Sequence, residues 1–256
     1  MPSRVPADAV TAAGEATTGD REPSRGEAMA APPGLVNSAL FWPFWLGCRA
    51  GFRLWFRMRV ENQPRLAGGY VVAANHGSFL DPVLLGAASR RRITYMMTEV
   101  IWRSPTMGWF YRWNRTIPVA VRGGNRDALR AARSVLQQGR VLGIFPEGGL
   151  SRDGGLLLGS PGAVSLVFNE AVPIVPVGIV GADRVLPVGA LLPRPRQVTI
   201  RFGEPIPHDE LASLAPGDRK ARLQAATRLI MERIAALIGQ ESRERQLERA
   251  AAPARL

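Results

Sequence analysis

From residue 69 onward, short apolar runs alternate with longer segments of helical period. Tyr70-Val71-Val72-Ala73-Ala74 is an unbroken apolar run of strand length, and after a turn a helix is predicted around 81–89. Ile93 to Met97 and Thr116 to Val121 read as strands. Asp127 to Gln138 places Ala128, Leu129, Ala132, Val135 and Leu136 on one helical face, with Gly139 as its stop. Val141 to Phe145 is another short buried strand, Gly162 to Glu170 is helical, and Val172 to Val180 is a strand despite its prolines. Gln197 to Phe202 follows, then a long helix over about 218–238. Apolar strands alternating with helices predict an α/β domain, a mainly parallel central sheet flanked by helices.

The flanks differ from this middle. Residues 1–33, rich in Ala, Pro, Gly, Thr and Glu without apolar periodicity, read as a disordered tail without the apolar core of a secretory signal. Residues 34–59 read as an amphipathic membrane-docking helix. The uncharged run from Leu35 to Cys48 is 14 residues, short of the roughly 20 that cross a bilayer. Phe41, Trp45, Cys48, Phe52 and Trp55 recur at helical spacing, and Arg49, Arg53 and Arg57 every fourth residue. Such a helix suits a membrane interface, its aromatics in the acyl boundary and its guanidiniums at phosphate level; packing on the protein's own core is the alternative. Residues 241–256 read as a charged tail, with a solvated Arg/Glu face over Glu241 to Arg249.

Charge sharpens the picture. The net charge is +12, while residues 1–33 carry three Arg against five acids, so the remaining chain carries +14. Eleven Arg and only two acids, Glu99 and Asp127, lie between Arg90 and Arg140. This field attracts anions: phospholipid headgroups, phosphorylated substrates, acyl carriers or nucleic acid. The single cysteine, Cys48, rules out a disulfide framework, and two histidines with one cysteine are poor material for a zinc or iron site. The sole lysine, Lys220, lacks the glycine and hydroxyl neighbours of a phosphate-binding loop.

His208, in Pro207-His208-Asp209-Glu210, reads as a solvated residue near a helix start. His76 lies in Asn75-His76-Gly77-Ser78-Phe79-Leu80-Asp81-Pro82, directly after a buried strand, where α/β sheets place ligand sites. Asp81, five residues on across a glycine-containing turn, is placed to accept from one ring nitrogen and leave the other free to take a proton. By spacing alone that pair is weak. Phe145-Pro146-Glu147-Gly148-Gly149-Leu150-Ser151-Arg152 follows another buried strand, and Val119 to Gly124 leads Arg122 into a glycine turn. Each segment taken singly also reads as an ordinary turn with a charge.

In order, these pieces resemble the four successive blocks of the lysophosphatidate (1-acylglycerol-phosphate) acyltransferase family, PlsC-like. The blocks are Asn75-His76-x4-Asp81-Pro82, Val119 to Gly123, Phe145-Pro146-Glu147-Gly148 and Val172 to Val177. The resemblance covers roughly 60–205 and implies a single acyltransferase domain over 60–240. It implies that His76 is the general base and that Asp81 holds it. The acceptor hydroxyl would attack the thioester of acyl-CoA or acyl carrier protein directly, with no acyl-enzyme and no cofactor or metal beyond that co-substrate. Arg122 would bind the acceptor's phosphate. Glu147 and Gly148 would shape the acceptor site, their loop aiding the oxyanion through backbone amides, and Asn75, Ser78 and Arg152 would belong to the same substrate-binding set. The implied partners are a membrane phospholipid surface, the acyl donor and a lysolipid, with the chain peripheral or monotopic on the cytoplasmic face.

One departure matters. The family's third block commonly continues Thr-Arg-Ser, where this chain has Gly149, Leu150 and Ser151. Leucine cannot donate to a phosphate, so another lysophospholipid or a lyso-aminolipid stands as an alternative acceptor. An Arg-rich nucleic-acid-binding protein would account for the charge but leaves the order of the blocks unexplained.

Overall fold

The computed structural model describes residues 34–121, 124–168 and 170–251. The tail expected over 1–33 lies outside these residues, as do Arg122, Gly123 and the last five residues of the charged tail. Seven strands form one sheet: β1 (Arg59–Glu61), β2 (Tyr70–Ala74), β3 (Ile93–Thr98), β4 (Ile117–Val119), β5 (Val141–Ile144), β6 (Ile174–Val180) and β7 (Thr199–Phe202). Their order is β1-β7-β6-β2-β5-β3-β4. The block β6-β2-β5-β3-β4 is parallel throughout, whereas β7 runs antiparallel to β6 and β1 runs parallel to β7.

Because side chains alternate along a strand, the apolar runs cover both sheet faces. Val71, Ala73, Leu142, Ile144 and Ile174 face one core with α5 (Arg126–Gln137), α6 (Pro161–Phe168) and α9 (Arg219–Ile238). Tyr70, Val72, Ala74, Val141, Val175 and Val177 face the other, with α1 (Leu35–Trp55) and α2 (Asp81–Ala88). Burial on both faces is why these strands read as continuous apolar runs rather than alternating ones.

Four elements lack a clear sequence signature: β1, α3 (Glu99–Trp102), α4 (Gly108–Trp113) and α7 (Ala182–Val185). Each has six residues or fewer, too short to display a period. The remaining helices are α8 (His208–Ser213) and α10 (Arg243–Ala251). α10 is a docked helix rather than a free tail, with Arg245 paired to Glu232 and Arg228 to Glu244.

The helix over 35–55 forms as expected, but of its aromatic stripe only Trp55 is exposed. Phe41 and Trp45 are buried in the second core, and the Trp45 ring lies so close to α2 that a Cβ on Gly86 would stand 2.7 Å from it. Burying two such rings stabilises by about 1.5–3 kcal/mol each, so Phe41 and Trp45 belong to the fold. The exposed apolar residues of α1 are instead Leu40, Trp42, Phe44, Leu46, Leu54 and Trp55. No described helix is long and apolar enough to cross a membrane.

Candidate active site

β2 ends at Ala74 in the middle of the sheet, and the chain turns through 75–80 before α2 begins at Asp81. Asp81 is the hub of that turn. Its Oδ2 accepts from His76 Nδ1 at 2.9 Å, from Gly77 N at 2.8 Å and from Ser78 N at 2.7 Å. One carboxylate oxygen therefore closes the turn and orients the imidazole. With Nδ1 held by Asp81, Nε2 is the nitrogen left to exchange a proton. Asp81 has no exposed surface, and burial pushes its pKa up. The bond and charge of His76, then the Ser78 and Gly77 amides, pull it back. Tyr95, beneath the site, is pushed well up by burial and then by the Asp81 charge, so it stays a neutral phenol.

The next strand, β5, supplies the other wall. The Phe145 ring is stacked on His76, with centroids 4.1 Å apart and planes at 21°. Tyr95 stacks behind Phe145 at 6.1 Å; a Cβ on Gly143 would sit 2.6 Å from the Tyr95 ring, so glycine there makes room for it. Glu147 then ties the two loops together. Its Oε1 accepts from His76 N at 2.7 Å and its Oε2 from Leu157 N at 2.9 Å. Burial pushes the Glu147 pKa up, opposed by those two amides. Ser151 N donates to His76 O at 2.8 Å, completing a clamp on the His76 backbone.

The expected site residues divide accordingly. His76, Asp81, Glu147 and Gly148 come together at the carboxyl edge of the parallel strands. Asn75 is beside them, but Asn75 Nδ2 donates to Ile179 O and Oδ1 accepts from Ile179 N, locking the β2 exit to β6. Ser78 has no exposed surface and donates its hydroxyl to Leu186 O at 3.0 Å, so it holds the turn rather than reaching a ligand. Glu147 likewise has both oxygens engaged by backbone. Gly148, at φ +68°, takes a left-handed conformation suited to glycine. Its N–H closes the turn onto Phe145 O, so it does not face the site as an oxyanion donor. Arg152 is exposed, and Arg122 lies outside the described residues. His208 starts α8, beyond the bridge that joins Ile206 to Ile174 at the opposite end of β6.

Two residues of the site have no role in the sequence pattern. Phe145 lies within its block only as the residue before Pro146. Gln240, just past α9, takes Leu156 N at 3.0 Å on Oε1 and donates from Nε2 to Gly154 O at 3.1 Å, pinning the loop that Glu147 begins. No local pattern links Gln240 to a loop more than eighty residues earlier. A polar cavity of about 220 Å³ opens beside the turn, lined in part by Asn75, Gly77, Asp81, Asp183 and Gln240. Among the described residues no cluster of His, Cys, Asp and Glu could hold a metal ion.

The family described as Acyltransferase matches residues 57–180. The chain is 26% identical over 190 residues to a 1-acyl-sn-glycerol-3-phosphate acyltransferase of Bacillus subtilis, covering 74% of this chain and 89% of that one. It is 27% identical over 133 residues to a chloroplastic 1-acyl-sn-glycerol-3-phosphate acyltransferase of Brassica napus, covering 51% of this chain. That match spans 38% of the Brassica protein, well under two thirds of its length. In fold, the chain is like the crystal structure of PlsC, the 1-acyl-sn-glycerophosphate acyltransferase of Thermotoga maritima. The TM-score is 0.58 at 21% identity, covering 83% of this chain and 81% of that one.

Proposed function

Because residues 57–180 match the Acyltransferase family and the chain is similar to 1-acyl-sn-glycerol-3-phosphate acyltransferases, we propose that it transfers a fatty acyl group from acyl-CoA or acyl carrier protein to the free hydroxyl of a lysophospholipid. The default acceptor is 1-acylglycerol-3-phosphate, as in the names of the relatives, and the product is then phosphatidic acid. The observation that carries the mechanism is the 2.9 Å contact between His76 Nδ1 and Asp81 Oδ2.

In this reading, His76 Nε2 takes the proton of the acceptor hydroxyl as its oxygen attacks the thioester carbonyl. The tetrahedral intermediate collapses, the C–S bond breaks, and the thiolate leaves with the proton that His76 returns. No acyl-enzyme is needed, in keeping with a sequence that lacks a nucleophile elbow and holds Cys48 within α1. Asp81 fixes the tautomer and stabilises the imidazolium while it exists. The work is done on the membrane surface, at the cytoplasmic face.

A second acceptor class is favoured by one observation. Leu150 stands where the family commonly has arginine, and Arg152 is exposed two positions further on. A zwitterionic lysolipid or a lyso-aminolipid asks less of that position than a phosphate monoester does.

The test is acyl transfer from labelled oleoyl-CoA to a panel of lysolipids, with wild type and His76→Ala side by side. Loss of about 10²–10⁴-fold in His76→Ala supports a general base. Nearly equal activity in the two removes His76 from that role, and the preferred acceptor ranks the two classes.

A further inference from the structure

The carboxyl edge of the parallel strands, where His76 sits, carries an uneven share of the protein's exposed apolar residues. Each strand of the parallel block leaves the sheet there into a loop or short helix bearing at least one. Phe79 follows β2, Val100 and Trp109 follow β3, Val121 follows β4, Leu158 follows β5 and Leu191 follows β6. Val100 is 72% exposed, Trp109 62% and Leu191 94%. β1 runs the opposite way, so its start, and the exposed Leu54 and Trp55 at the end of α1, reach the same edge. Apart from α1 and this rim, only Leu129 and Leu247 are exposed large apolar residues among the described residues.

The rim is continuous with α1. An aromatic chain runs from exposed Trp109 to Phe110 (5.9 Å), Phe44 (6.1 Å), Trp45 (5.6 Å), Phe41 (5.6 Å) and exposed Trp42 (5.3 Å). Asn37 Nδ2 adds a hydrogen bond to Trp113 O at 3.1 Å. Charge on the same loops is basic. Arg103, Arg112, Arg152, Arg184, Arg194 and Arg196 are exposed, against Glu99, Asp153 and Asp183, and Glu99 is paired with Arg103.

We infer that this rim, and not α1 alone, is a docking surface for an anionic lipid bilayer, with the α3–α4 segment and the Leu191–Leu192 loop among its contacts. Apolar side chains set among arginines over several loops match a lipid interface, where the former enter the acyl boundary and the latter meet phosphates at about 1 kcal/mol each. A single protein partner would ask instead for one packed apolar centre with a polar rim. Docked this way, the protein brings His76 to the depth of a lysolipid's glycerol hydroxyl without extracting the acceptor. The inference rests on the lysolipid reading of the site and adds the surface through which the acceptor arrives.

The experiment is flotation of the full chain with vesicles of phosphatidylcholine containing a minority of phosphatidylglycerol. Two double variants, Val100→Asn with Trp109→Asn and Leu191→Asn with Leu192→Asn, are compared with Leu247→Asn, whose leucine lies on α10. All five positions are exposed, and thermal melting checks that the fold is kept. Each rim pair should partition at least about tenfold more weakly than wild type. Both should keep acyl transfer to a short-chain lysolipid dissolved as monomers, and Leu247→Asn should behave as wild type. Unchanged partitioning of both rim variants overturns the inference. So does vesicle binding that persists while binding to acyl carrier protein is lost, which would assign the rim to the donor. If wild type acylates no lysolipid yet its partitioning still depends on the rim, the function reading fails and the docking surface stands.

Discussion

The Phe145 ring lies face to face with the His76 imidazole, centroids 4.1 Å apart, on the side chain's flank not held by Asp81. Asp81 fixes the in-plane direction of the imidazole and Phe145 fixes its plane. A stacked aromatic pair contributes about 0.5–1.5 kcal/mol, enough to narrow the angles that the ring samples. Phe145→Leu keeps an apolar side chain but removes the flat face. We expect kcat to fall about tenfold with the acceptor KM nearly unchanged, measured by steady-state acyl transfer. A change confined to KM would give Phe145 a binding role instead.

Asp81→Asn and Asp81→Ala should part company. Asparagine can keep an oxygen where Oδ2 now accepts from His76, Gly77 and Ser78, so the turn persists and chiefly the charge is lost. Activity should fall at least about a hundredfold with little change in stability. Alanine leaves the amides of Gly77 and Ser78 without their acceptor, at about 1–3 kcal/mol for each buried group, and urea unfolding should register that loss. Equal stability of the two variants would count against the hub role of Oδ2.

Glu147 gives a pH prediction with a definite sign. Burial holds its folded-state pKa above the ordinary value of 4.5, so the folded protein binds the proton more readily than the unfolded chain. Stability from this group therefore falls as pH rises from about 4.5 through the folded pKa. The Glu147→Gln variant lacks the titration. Urea unfolding of both proteins across this range should show wild type gaining on the variant as pH is lowered, with the difference levelling below about 4.5. A difference that grows with rising pH would mean that the two amides outweigh burial.

Leu150 tests acceptor choice. Leu150→Arg would add a donor two residues beyond Gly148, where a phosphate monoester gains a charge-assisted bond worth about 1.5–3 kcal/mol. The ratio of kcat/KM for lysophosphatidate over lysophosphatidylcholine should rise about tenfold or more. An unchanged ratio would place acceptor selection elsewhere.

The sequence shows the parallel block of the sheet. Tyr70–Ala74 and Val141–Ile144 are buried on both faces, and such strands announce themselves as continuous apolar runs. It also determined where the chemistry would be sought, because His76-x4-Asp81 and Phe145-Pro146-Glu147-Gly148 are local patterns at strand ends. Packing in the fold set which face of α1 is buried. Phe41 and Trp45 have the spacing of a lipid-facing stripe and of a core-facing one alike, and Gly86 on α2 is what makes room for the ring. It decided, too, that Glu147 and Ser78 bond to backbone and that Gln240 pins the loop at Gly154 and Leu156. Those contacts join residues brought together by strand order, and strand order follows from packing summed over the whole sheet rather than from any one segment's pattern.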